Sequence, residues 1–175
     1  MSDRLRLFFA LWPEDHARTA LAAAARAAQA QCGGRAMPAE KIHLTLFFIG
    51  SLDRARLGAI ERAGAAVRGR AFELAFDRIG YFRRTAIVWA GASSTPDALL
   101  RLVETLRSRL AAEGVRGEAR PYVPHVTLVR DAARRPTADV LTACTSRARA
   151  FALVQSVPVS GGVRYDNVAT WPLGN

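Results

Sequence analysis

Histidine occurs three times in the 175 residues, and two of the three share one local setting: Ile42-His43-Leu44-Thr45-Leu46 and Pro124-His125-Val126-Thr127-Leu128. Both segments read as strands, where side chains alternate between faces. His43 and Thr45 therefore share a side opposite Leu44 and Leu46, and His125 and Thr127 share a side in the same way. Two imidazoles in one cleft can divide the work of proton transfer, because a group that titrates near about pH 6.5 can stand neutral to accept a proton or charged to donate one. Threonine hydroxyls beside them can hydrogen-bond phosphoryl oxygens. Neither segment contains Asp or Glu, so a carboxylate-held Mg²⁺ or two-metal centre has no ligands there. No Walker loop, serine elbow or dinucleotide glycine motif is present. The pattern points to acid–base phosphoryl chemistry with no metal and no cofactor. For either motif alone, a strand histidine satisfied within the core is the competing reading, and the repetition weighs against it. His16, among Glu14, Asp15 and Arg18, reads as a solvated helix residue.

Strands and helices must position these groups. Leu5–Leu11 is apolar enough for a buried strand, and Pro13 precedes an alanine-rich helix that runs to about Gln31 and stops at Gly33-Gly34. Ile42–Ile49 reads as a strand ending at Gly50. Asp53 caps a helix to about Val67, and strands follow near Phe72–Ile79 and Thr85–Ala90, joined through Gly80–Arg84. A third helix puts Leu99, Leu102, Val103, Leu106 and Leu110 on one face and ends near Gly114. Tyr122–Val129 reads as a strand, Ala132–Thr145 as a loop with a short helical turn, and Phe151–Val157 and Val163–Ala169 as closing strands turned by Ser160-Gly161-Gly162. Mixed elements without strict βαβ alternation predict an α+β fold.

Half of the residues are hydrophobic, enough for one sizeable core, so residues 1–175 are expected to form a single domain. No apolar run reaches bilayer length, and the amino terminus enters Arg4–Phe9 without signal-peptide architecture, so a cytoplasmic protein with no membrane partner is expected. Cys32 and Cys144 lie outside any CxxC or Cys/His cluster, which disfavours disulfides and thiolate zinc sites. The net charge of +10 suits an anionic partner such as nucleic acid. Lys41 is the only lysine and alanine is abundant, so the arginine excess of a GC-rich coding sequence accounts for the charge equally well.

The HLTL and HVTL cores, at residues 43–46 and 125–128, resemble the paired HxTx motifs of the two-histidine (2H) phosphoesterase superfamily. More narrowly the chain resembles the RNA 2′,3′-cyclic phosphodiesterases, also called 2′-5′ RNA ligases. The likeness runs through Arg6–Ala10, Ile42–Gly50, Val88-Trp89, Arg120–Arg130, Leu153–Ser156, Tyr165 and Trp171–Leu173. It implies two pseudo-symmetric lobes, each an antiparallel sheet backed by helices, around a central cleft. It implies His43 and His125 as the catalytic pair, and Thr45, Thr127 and Arg130 as phosphate-binding residues. Arg130 lies an odd offset from His125, so either a bulge or strand end turns it toward the site or it is a surface arginine. Phe48, Phe82 and Tyr122 are candidates to stack on a base, with core packing, the commoner fate of aromatics beside strands, as the competing reading. The implied activity is opening of RNA 2′,3′-cyclic phosphate ends to 2′-phosphates, with reversible 2′-5′ ligation, by a monomer whose partners include tRNA fragments. The alternatives are a non-catalytic RNA-end binder and a 2H phosphodiesterase for a small cyclic nucleotide.

Overall fold

Leu5, Leu7, Phe9 and Leu11 alternate with Arg6, Phe8 and Ala10 along the first strand, and the layering of the whole molecule follows from which side each set takes. The computed structural model describes residues 3–117, 121–137 and 140–174. Along them run β1 (Arg4–Leu11), α1 (Asp15–Cys32), β2 (Arg35–Ala36), β3 (Leu44–Asp53), α2 (Leu57–Ala65), β4 (Phe72–Phe82), β5 (Ile87–Gly91), α3 (Asp97–Ala112), β6 (Val126–Arg130), β7 (Val140–Ala148), β8 (Ala150–Val159) and β9 (Gly162–Pro172).

The strands form one antiparallel sheet in the order β7-β4-β5-β6-β3-β1-β8-β9, with β2 on β6. The path divides where β6 meets β3, because their pairing is a single residue pair, Leu44 opposite Val126. On one side lie β3, β1, β8 and β9, on the other β6, β5, β4 and β7. The fold is therefore α+β, with two related lobes that meet at this seam.

All three helices cover the face that holds Leu5, Leu7, Phe9 and Leu11. Helix α1 buries Ala17, Leu21, Ala25, Ala28 and Cys32, spaced three or four residues apart as one helical stripe. It ends at Gly33, whose φ of 69° suits glycine and whose N–H donates to the Gln29 carbonyl at 2.8 Å. Helix α1 follows β1 yet packs on β6, β2 and β7, and α3 follows β5 yet packs on β3 and α2. The anticipated stripe of α3 is fully buried: Leu99, Leu102, Val103, Leu106 and Leu110. Burying a leucine contributes roughly 1.5–3 kcal/mol. No helix among the described residues is long and apolar enough to cross a membrane.

Four local expectations change. Residues 140–145, read as loop, belong to β7, which pairs with β4 from Phe72↔Ala148 to Arg78↔Val140. Thr142, Ala143, Cys144, Thr145 and Ser146 give this sheet-edge strand no apolar signal, so its pairing partner makes it a strand. The Gly80–Arg84 connection is shorter than expected, because β4 continues to Phe82. Asp53 accepts from Ala55 N–H at 2.9 Å and so caps a 3₁₀ turn (Arg54–Arg56) ahead of α2 rather than α2 itself. Finally, His43 and His125 lie one residue before β3 and β6. A 3₁₀ turn (Ala39–Lys41) delays the first strand, and Pro124, lacking an amide proton, delays the second.

Candidate active site

The seam between the lobes sets the geometry. Leu44 and Val126 are buried beneath it, so the residues on either side of each point the other way. His43, Thr45, His125 and Thr127 are all half-buried on the face opposite the helices. Continuing the antiparallel register from Leu44↔Val126 sets His43 across from Thr127 and Thr45 across from His125. The sheet thus brings both polar pairs together.

Each imidazole is held in the same way. His43 Nδ1 donates to the Lys41 carbonyl at 2.8 Å, and His125 Nδ1 donates to the Val123 carbonyl at 2.7 Å. A carbonyl can only accept, so each bond fixes the proton on Nδ1 and makes Nε2 the atom that takes up and releases a proton. The rings are further packed by aromatics. His43 lies 4.9 Å from Phe8, 5.4 Å from Trp12 and 5.1 Å from Tyr165, centroid to centroid. His125 stands edge-on to Phe82 at 4.9 Å and lies 6.1 Å from Trp89. Burial pushes the His43 pKa down from 6.5 to about 4, helped by the Arg130 and His125 charges and opposed by the bond to the Lys41 carbonyl. His43 is therefore neutral at pH 7.

Arg130 reaches this face through a bulge. Strand β5 pairs Val88 with Val129 but Trp89 with Thr127, leaving Leu128 as an extra residue on β6. Leu128 and Val129 are consecutively buried, and Arg130 returns to the side of Thr127. The first motif repeats the device: β1 pairs Phe9 with Phe47 but Ala10 with Thr45, so Leu46 and Phe47 are both buried and Phe48 comes back to the site face, 41% exposed. The Arg6 guanidinium lies 5.0 Å from the centre of the Phe48 ring.

Of the other aromatics singled out, Phe82 borders His125 on the site face. Tyr122 packs against the main core, and its hydroxyl donates to the Thr45 carbonyl at 3.0 Å. Burial pushes the Tyr122 pKa up, so it stays a donor. It ties the segment before His125 to β3. Sequence reasoning missed Phe8, Trp12, Trp89 and Tyr165 as neighbours of the histidines; Trp12 is held by its Nε1–H donating to Asn167 Oδ1 at 3.0 Å. His16 stays at the surface, its Nε2 donating to the Thr145 carbonyl at 2.9 Å. Arg120 lies outside the described residues. Among those described, no three His, Cys, Asp or Glu side chains cluster to hold a metal ion.

Two polar pairs meeting at the seam of a two-lobed antiparallel sheet define a class of protein, and the chain belongs to it: residues 13–159 match the 2′-5′ RNA ligase superfamily. Within that class its similarity is to the RNA 2′,3′-cyclic phosphodiesterases. The Escherichia coli (strain K12) protein of that name is 33% identical over 141 residues, 80% of each chain. The Thermus thermophilus one is 33% identical over 168 residues, 87% of this chain and 82% of that one. The crystal structure of E. coli LigT complexed with 3′-AMP has a TM-score of 0.91 at 29% identity, covering 98% of this chain and 99% of that one.

Proposed function

We propose that this protein hydrolyses 2′,3′-cyclic phosphate ends of RNA to 2′-phosphates by two-histidine acid–base catalysis. One Nε2 takes a proton from water as the water oxygen bonds to phosphorus. The other Nε2 gives its proton to the ribose oxygen as the P–O bond breaks. In-line attack puts the entering and departing oxygens on opposite sides of phosphorus, which is what one histidine per lobe can serve. Thr45, Thr127 and Arg130 hold the non-bridging oxygens and stabilise their charge, while Phe48 and Phe82 flank the base. With a ribose 5′-hydroxyl in place of water, the same groups open the ring to a 2′-5′ linkage and a free 3′-hydroxyl, and attack of that 3′-hydroxyl on phosphorus with departure of the 5′-oxygen reverses the step. With no carboxylate among the motif residues, turnover is expected to survive EDTA.

The observation that carries this reading is the paired Nδ1 anchoring, which leaves the proton exchange to Nε2 on one histidine from each side of the seam. A protein that only held RNA ends would gain from charged imidazoles, and His43 is instead held neutral. The relatives' names point to the same substrate. A panel of 2′,3′-cyclic mononucleotides, cyclic-phosphate oligonucleotides and 3′,5′-cyclic nucleotides tests it, with phosphorus NMR on the products. The expected outcome is turnover of the 2′,3′-cyclic compounds alone, to 2′-phosphates alone. Turnover of the 3′,5′-cyclic compounds instead would move the substrate class, and a predominant 3′-phosphate would reverse the placement of the ribose.

A further inference from the structure

Trp89, whose ring lies 6.1 Å from that of His125, lines a groove of about 700 Å³ that the chemistry above leaves unused. Its origin lies in β4. Phe72, Leu74 and Phe76 point into the core, but the pairing with β7 slips between Phe76 and Arg78, and beyond the slip Ile79 and Tyr81 are the residues that pack on the core. Arg78, Gly80 and Phe82 are thereby turned to the face of His125. Across the ladder Gly80 pairs with Trp89, and the indole lies against the bare glycine, where a Cβ would come within 1.9 Å of it. The Arg78 guanidinium lies 5.9 Å from the centre of that ring. Arg83 and Arg135 also line the groove.

Three features make this a place for a polyanion. Arginine forks bind phosphate bidentately and stack on aromatic planes. Among the described residues no Asp or Glu lines the groove; of the described carboxylates nearby, Asp77 is engaged by the N–H and hydroxyl of Ser93 and Asp131 by Arg35. The Trp89 indole lines the groove beside Arg78, an aromatic surface of the kind on which nucleic-acid bases stack. The His43 side differs. Its groove beside Trp12 is about 210 Å³, and although Arg147 and Arg149 line it, Glu14 sits among them, accepting from Arg147 N–H at 2.8 Å and lying 3.8 Å from the Arg149 guanidinium.

We infer that the groove of Arg78, Arg83 and Trp89 binds the RNA chain on the 5′ side of the cyclic phosphate, so that the chain leaves the seam past His125 rather than past His43. This deepens the proposed function and rests on it. The arginines take successive phosphodiesters, and Trp89, 6.1 Å from His125, joins the groove to the reacting end.

The test compares a 2′,3′-cyclic mononucleotide with a short RNA ending in a cyclic phosphate, using wild type, R78A/R83A and R78K/R83K. For wild type kcat/KM is expected to favour the RNA. R78A/R83A should lower kcat/KM for the RNA about tenfold through KM, leave the mononucleotide within about twofold, and flatten the salt dependence by roughly 0.7 for each phosphate no longer held. R78K/R83K should restore the salt slope and part of the affinity. Equal losses on both substrates, or none on either, overturn the inference. So does a wild type that hydrolyses both equally well, and that result leaves the hydrolase reading standing. If neither substrate turns over, the hydrolase reading fails, and fluorescence anisotropy with the same labelled RNA still decides the groove: the inference survives only if R78A/R83A weakens RNA binding and spares the mononucleotide.

Discussion

The two lobes use the same parts at the seam and different ones just beyond it. Each has an imidazole tied through Nδ1 to the carbonyl two residues upstream, a threonine two residues downstream, and a bulge that returns the fifth residue to the site face. At that fifth position one lobe carries Phe48 and the other Arg130. In the proposed function the repeated parts are those a reaction at phosphorus needs on both sides. The unrepeated ones would then distinguish the two ends of the substrate, an apolar surface for a base against a cation for a phosphoryl oxygen.

Removing a repeated part should have the largest effect. His43→Ala and His125→Ala are each expected to cut kcat by about a hundredfold or more, with a smaller change in the binding of a 2′-nucleotide product. Near-normal turnover in either variant would mean that the lobes do not share the proton transfers.

The next difference lies in protonation. At pH 5.5, with a pKa of about 4, the charged fraction of His43 should be about thirtyfold smaller than that of an ordinary imidazole, as nitrogen-15 NMR of the free protein can read directly. The linkage has a definite sign. The folded pKa lies below the unfolded value of 6.5, so the unfolded chain binds more protons between the two. The His43 contribution to stability is then complete above about pH 6.5 and is lost as pH falls toward 4. His43→Gln should flatten that part of the stability profile in urea titrations.

Changing the unrepeated parts should separate their roles. Arg130→Ala is expected to lower kcat/KM about tenfold or more for every 2′,3′-cyclic substrate, with partial recovery in Arg130→Lys. Phe48→Ala should raise KM about tenfold or less, by an amount that varies with the base, and leave kcat nearly unchanged. Base-independent losses in kcat from Phe48→Ala would erase the distinction between the lobes. The smallest effect belongs to Tyr122→Phe, which removes one hydrogen bond across the seam. A stability loss of about 1 kcal/mol, measured by chemical denaturation, should accompany a change of a few-fold or less in kcat.

Much of this was legible in the chain because it is written in local pattern. The buried stripe of α3 and the alternation around His43 and His125 are periodicities, and they survive folding. Arg130 was half legible: the odd offset demanded a bulge or strand end for any place at the site, but only the pairing of β6 with β5 locates the bulge at Leu128. Strand β7 was illegible because small and polar residues at a sheet edge become a strand through β4 alone. Trp12, Trp89 and Tyr165 were out of reach for a similar reason, since which rings surround a histidine depends on the order of strands across the sheet.

The crossing of the helices bears on how the molecule comes apart. Helix α1 completes the apolar layer of the lobe it does not follow in the chain, and so does α3. Neither lobe can keep its hydrophobic cover while the other melts. Unfolding is therefore expected as one cooperative transition, and the slowest-exchanging amides of α1, α3, β3 and β6 should share a single opening free energy. A chain cleaved between β5 and α3 should give two fragments that are disordered apart and regain structure when mixed. The separation of His43 from His125 is then tied to global unfolding, so the imidazole pair is as long-lived as the fold itself.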